Sequence, residues 1–107
     1  MGKKSNKVIN LLKKFKEGIE KKIDLDSIIL FGSRARGDER ENSDIDLIIV
    51  SKDFEGEKSF KRAVKFYLYW DHDYTTDIIC LTPKELETKK NQIGIIQSAL
   101  KEGIRIE

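Results

Sequence analysis

The 107-residue chain contains one cysteine, one histidine, one proline, one methionine and one tryptophan. Each scarcity excludes something. With Cys80 alone, there is no internal disulfide and no multi-cysteine metal site. With His72 alone, there is no histidine-rich zinc site. A resident metal would have to be held by carboxylates, which favours a hard ion. Long apolar runs are also missing. The longest reach about eight residues, as around Ile45–Val50 where Asp46 interrupts, against the roughly 20 that cross a bilayer. Met1-Gly2-Lys3-Lys4-Ser5 lacks the apolar core and cleavage site of a signal peptide. Asn6 stands where a lipidation signal has Ser or Thr. No membrane association is expected, and the expected location is the cytoplasm. There is no repeat and no Pro-rich or Gly/Ser-rich linker, so one domain over residues 1–107 is expected.

What remains is 38% hydrophobic and 37% charged. That is apolar enough for a core and too polar for a membrane protein. The charge is uneven: residues 1–22 carry eight Lys and two Glu, whereas the remainder is net acidic. Val8, Leu11, Leu12, Phe15, Ile19 and Ile23 recur at helical spacing, which predicts a helix over 6–22 with its lysines solvated and Ser5 or Asn6 as cap. The one aromatic among those lysines, Phe15, belongs to the apolar stripe, so direct nucleic-acid binding is not expected.

Leu25–Phe31 reads as a buried strand ending at Gly32-Ser33. A short helix capped by Ser33 follows, then a polar loop to Ser43. Asp44–Val50 is a second strand. Phe60, Ala63, Val64, Tyr67 and Leu68 predict a helix reaching Trp70. Thr75–Leu81 is a third strand, and Thr82-Pro83 starts a short helix. Residues 91–101 look helical despite Gly94. Gly103 stops that helix, and Ile104–Ile106 can add an edge strand. The fold class is α+β (mixed α/β): one sheet with helices packed on it, its strand order unfixed.

The chemistry concentrates in Gly32-Ser33, the ten residues that follow, and Asp44-Ile45-Asp46. Asp44 and Asp46 lie two apart on a strand, so both leave one face. Two close carboxylates repel unless a cation neutralises them, and oxygen-only ligands suit Mg²⁺ or Mn²⁺. Asp77, inside the third strand, is a third carboxylate if that strand lies beside the second. Three together could hold two ions about 3.5–4 Å apart and clamp a displacement at phosphorus, with Asp77 also able to accept a proton. Gly32 allows close backbone approach to a phosphate, and Ser33 offers amide and hydroxyl donors. Arg34 and Arg36 add guanidinium charge suited to phosphate oxygens. Taken singly, each piece is commonly a turn or a solvated side chain; the conjunction is more specific.

Gly32-Ser33, ten residues, Asp44-Ile45-Asp46 resembles the signature of the DNA polymerase β-like nucleotidyltransferase superfamily. Phe31-Gly32-Ser33-Arg34-Ala35-Arg36-Gly37 and the small size are similar to its minimal prokaryotic members. The resemblance implies a small mixed β-sheet flanked by helices, like the polymerase β palm. It implies metal binding by Asp44 and Asp46, a catalytic carboxylate at Asp77, and nucleotide phosphates held by Gly32, Ser33 and a basic Arg36. It also implies Mg²⁺-dependent transfer of NMP, as AMP from ATP, to a hydroxyl. Small members are often encoded with a helical HEPN-type protein, so toxin–antitoxin pairing is implied, with AMP transferred to that partner. Two rival readings stay open: an antitoxin that binds by occlusion with little catalysis, and the catalytic subunit of a two-chain antibiotic nucleotidyltransferase. Neither the acceptor, the base preference nor any homo-oligomer is set by the sequence. Elsewhere, His72 reads as a loop residue and Cys80 as a core thiol. The aromatics Phe60, Phe66, Tyr67, Tyr69 and Trp70 exceed one core stripe, leaving Phe66, Tyr69 or Trp70 for a protein interface.

Overall fold

The computed structural model describes residues 3–40, 42–70 and 74–107, and burial from Lys7 onward. The predicted loop position of His72 lies outside the described residues. Along the chain run α1 (Lys3–Glu20), β1 (Leu25–Phe31), α2 (Ser33–Arg36), β2 (Ile45–Ser51), a 3₁₀ turn (Lys52–Phe54), α3 (Ser59–Arg62), α4 (Val64–Tyr69), β3 (Thr76–Leu81), α5 (Pro83–Lys89), α6 (Ile95–Glu102) and β4 (Ile104–Arg105). The four strands form one sheet in the order β3-β2-β1-β4. β1 is antiparallel to both β2 and β4, while β2 and β3 are parallel. The expected α+β class is thus realised as a mixed sheet flanked by helices. A parallel neighbour requires a crossover, which α3 and α4 supply.

Alternation along the strands makes two apolar layers. On one face Ile28, Leu30, Ile45, Leu47, Ile49, Ile78 and Cys80 meet α1 through Val8, Leu12, Phe15 and Ile19, together with Phe54 and Phe66. On the other, Ile29, Phe31, Ile48, Val50 and Leu81 meet Ile96 and Ala99 of α6. Strands covered on both sides explain the continuous apolar runs of the sequence. Edge-to-face rings extend the first layer: Phe54 and Phe66 lie 5.7 Å apart, Phe15 and Trp70 5.1 Å.

The free edge of β3 is closed by the crossover helices. Tyr67 Oη accepts the Ile78 N–H at 3.0 Å, and Arg62 Nη1 donates to the Cys80 carbonyl at 3.2 Å. Arg62 is buried and forms a two-toothed pair with Glu85 of α5 at 2.5 and 3.2 Å. Such cover removes an unpaired strand edge from solvent.

Several sequence expectations are corrected. α1 begins at Lys3, which places Ser5 and Asn6 inside it rather than at its cap. Gly32, not Ser33, caps α2, and no side chain assists. The predicted 60–70 helix is two short ones divided at Ala63. The last long helix starts only at Ile95, since Gly94 has φ +156°. Phe66 is buried in the core, so it is unavailable to an interface. Cys80 is the core thiol expected, and burial pushes its pKa up to about 12. Thr82 caps α5 as read, in a reciprocal capping box with Glu85. Among the described residues no helix is long and apolar enough to cross a membrane.

Candidate functional site

Strand pairing decides which carboxylates meet. Asp46 lies opposite Phe31 of β1 on one side and opposite Asp77 of β3 on the other. Registered partners share a face, and this is the face on which α6 packs. Asp44, two residues before Asp46, belongs to the same face. β2 is otherwise buried from Ile45 to Ser51; Asp46 is its one partly exposed position. Asp44 and Asp77 are exposed at the open end of the sheet.

Electrostatics single out Asp46. Its carboxyl is pushed above the ordinary value, first by burial and then by the charges of Asp77 and Asp44, while Arg36 opposes the shift. A divalent cation would relieve this repulsion, so the oxygen donors fit a hard metal. They do not form a finished cage. Asp44 Oδ1 accepts from the Thr75 hydroxyl. Among the described residues, no three His, Cys, Asp or Glu side chains are disposed to hold a metal ion as they stand. The pairing β2–β3 therefore brings the three carboxylates to one face.

Gly32 closes the other side of Asp46. Its backbone (φ +77°, ψ −158°) lies in a region open essentially to glycine, and a Cβ there would run into Asp46 Oδ2. The Gly32 carbonyl accepts from the amides of Ala35 and Arg36, each at 3.1 Å. The Ser33 and Arg34 amides precede any partner within the turn and are its available donors. Gly37, left-handed at φ +85°, ends the turn.

The two arginines part company. Arg34 is buried; its Nε donates to the Ser43 carbonyl at 3.0 Å and its guanidinium lies 4.8 Å from the Tyr74 ring centroid. It fastens the loop ahead of Asp44. Arg36 is exposed and near enough to Asp46 to lower its pKa. It pairs with Asp38 at 3.2 Å and with Glu102, at the end of α6, at 3.3 Å; both raise its own pKa.

Thr75, Ser43, Tyr74 and Glu102 are supporting residues that sequence reading misses. Their contacts depend on strand order and loop path, and no local pattern marks them. Two surface grooves lie elsewhere, one along α5 between Lys84 and Gln92, the other between α1 and Glu107.

The family model for the nucleotidyltransferase domain matches residues 12–106. A relative from Methanocaldococcus jannaschii, called a "putative protein adenylyltransferase", is 41% identical over 70 residues, covering 60% of this chain and 71% of that protein. A "putative nucleotidyltransferase" from Sulfolobus solfataricus superposes with TM-score 0.70 at 24% identity, over 94% of this chain and 80% of that one. A toxin–antitoxin crystal structure with AMP-PNP contains a chain matching at TM-score 0.54 and 23% identity, over 96% of this chain and 72% of that one. These two likenesses are likenesses of fold.

Proposed function

The chain belongs to the nucleotidyltransferase domain family, and from that premise we propose that it transfers AMP from ATP to a hydroxyl of a protein partner, with Mg²⁺ as cofactor. The observation that carries this reading is the register of Asp46 against Asp77, with Gly32 closing on the Asp46 carboxylate. Asp44, Asp46 and Asp77 would hold Mg²⁺. Bound there, the metal supplies charge neutralisation for the triphosphate and the leaving pyrophosphate.

This chain's own residues do the remaining work. The Ser33 hydroxyl and the Ser33 and Arg34 amides bind phosphate oxygens at the turn that Gly32 opens. Arg36 adds positive charge on the same side. Asp77 takes the proton of the acceptor hydroxyl as its oxygen bonds to the α-phosphorus and the bond to pyrophosphate breaks. The adenylyltransferase name of the M. jannaschii relative supports a protein acceptor. The toxin–antitoxin assembly of the structural neighbour supports a paired partner. A helical HEPN-type protein is the partner proposed.

The test is incubation with ATP, Mg²⁺ and a HEPN-type protein encoded beside this chain, followed by intact-mass spectrometry. AMP additions to that protein, absent with Asp46→Asn, are expected. Binding that silences the partner without a mass change would establish occlusion and overturn the enzymatic reading. Full transfer by Asp44→Asn would put the active centre elsewhere.

A further inference from the structure

The core accounts for the strands but not for the outer face of the crossover helices. Phe60, Val64 and Leu68 recur every four residues, and Ala63 between the helices keeps helical dihedrals (φ −79°, ψ −22°). The three therefore line one stripe. They are 71%, 56% and 81% exposed, and Tyr67 and Tyr69 flank them, also exposed. Isolated apolar side chains on a surface are ordinary, but a contiguous patch marks contact with another molecule.

Lysines stand along the described margin of this patch. Lys61 Nζ lies 6.0 Å from the Phe60 ring and Lys22 Nζ 5.0 Å from the Tyr69 ring. Lys65 Nζ sits 5.6 Å from the Phe66 ring beneath and pairs with Glu57 at 3.4 Å. At these contacts three lysines stand against the single carboxylate of Glu57. A two-fold dimer through the stripe would bring Lys61 and Lys65 toward their own copies, which disfavours a second copy as occupant.

We propose that the α3–α4 face docks a protein partner through an amphipathic helix whose apolar side is edged by Asp and Glu. Leucine-sized side chains of the helix cover Phe60, Val64 and Leu68, and its acids meet Lys22, Lys61 and Lys65. The location also matters to the reaction. Tyr67, on the same helix, hydrogen-bonds β3 at Ile78, directly after Asp77. A partner seated here lies along the helix that covers the strand carrying the proton acceptor. Its identity with the AMP acceptor rests on the proposed function; the docking does not.

The experiment uses two synthetic helical peptides with the same leucine face, one edged by glutamate and one by lysine. Each is titrated into the ¹⁵N-labelled chain without ATP or metal. The glutamate-edged peptide should shift amide resonances of residues 59–69 saturably. Leu68→Asp should weaken it by about tenfold or more, as for a central interface residue. Equal binding of both peptides, no saturable shift, or shifts centred elsewhere would overturn the proposal. So would a dimer in sedimentation that Leu68→Asp dissolves, because the face would then belong to a second copy. Absence of nucleotide keeps this result separate from any failure of AMP transfer.

Discussion

Gly32 is held by its backbone angles and by its neighbour at once. Adding a methyl group would strain the turn and push on Asp46 Oδ2. Gly32→Ala should therefore lose about 1–3 kcal/mol of stability by chemical denaturation, and lose ATP binding as well. Were only stability affected, the phosphate role of this turn would fail. Asp46 permits a prediction with a definite sign. Its folded-state pKa is raised by burial, Asp77 and Asp44. The native state thus holds the proton more tightly than the unfolded chain. Stability from this group is complete below the ordinary carboxylate range and is lost as pH rises through the raised value. In metal-free protein, Asp46→Asn should accordingly raise the melting temperature at neutral pH, and the gain should fade on acidification. A neutral-pH loss would mean that the carboxylate is held by favourable partners instead. Arg34 marks the limit of reading single residues. An arginine beside a phosphate-type turn reads as a ligand, yet this one is buried against Ser43 and Tyr74, whose approach depends on the loop path.

At the scale of elements, β3 depends on what covers its outer edge. Arg62 joins α3 to the Cys80 carbonyl, to Glu85 of α5 and to the Glu57 carbonyl. Arg62→Ala leaves those acceptors without their cation and should cost about 2–4 kcal/mol, less than a fully buried pair because Glu85 remains partly solvated. Urea denaturation measures this; a loss under about 0.5 kcal/mol would mean that water replaces the guanidinium, as at an ordinary surface position. The same pair holds Glu85 below its usual pKa, chiefly through the Arg62 hydrogen bond. That part of the stability is present above the ordinary carboxylate range and lost as pH falls. Elements were legible where one local signal dominated. β1 and β3 show as apolar runs, and Thr82-Pro83 with Glu85 shows as a helix start. The division at Ala63 and the late start at Ile95 were not legible, because the apolar spacing runs through both places, while the helix is divided at Ala63 despite its helical dihedrals and Gly94 leaves helical dihedrals altogether. Phe66 and Phe60 look equivalent in sequence, and only the path of α4 over Phe54 separates buried from exposed. The carboxylates of Asp44 and Asp46 could be placed on one face from spacing alone. Asp77 needed the parallel pairing of β2 with β3, which alternation cannot specify.

For the whole molecule, the candidate site lies on one open end of the sheet and the apolar stripe on the crossover helices. An open site with mutually repelling carboxylates should bind nucleotide weakly until a divalent ion joins it. Calorimetry should show ATP affinity falling at least about tenfold in EDTA, since the triphosphate would then face uncompensated negative charge. Equal affinity with and without Mg²⁺ would remove the metal from the binding step. The arrangement of strands has a consequence in time as well as in space. β1 and β2 are close in sequence and antiparallel, and their pairing can form early. β4 joins β1 through only Ile29↔Arg105 and Leu30↔Ile104, helped by the Ile106 N–H to the Ile28 carbonyl at 2.9 Å. It is the sheet contact most distant in sequence, and its loop-closure entropy is met by few bonds. Refolding should therefore lock the β1–β2 pair first and fasten the α6–β4 segment last, so that Ile106→Ala speeds unfolding while leaving the folding rate nearly unchanged.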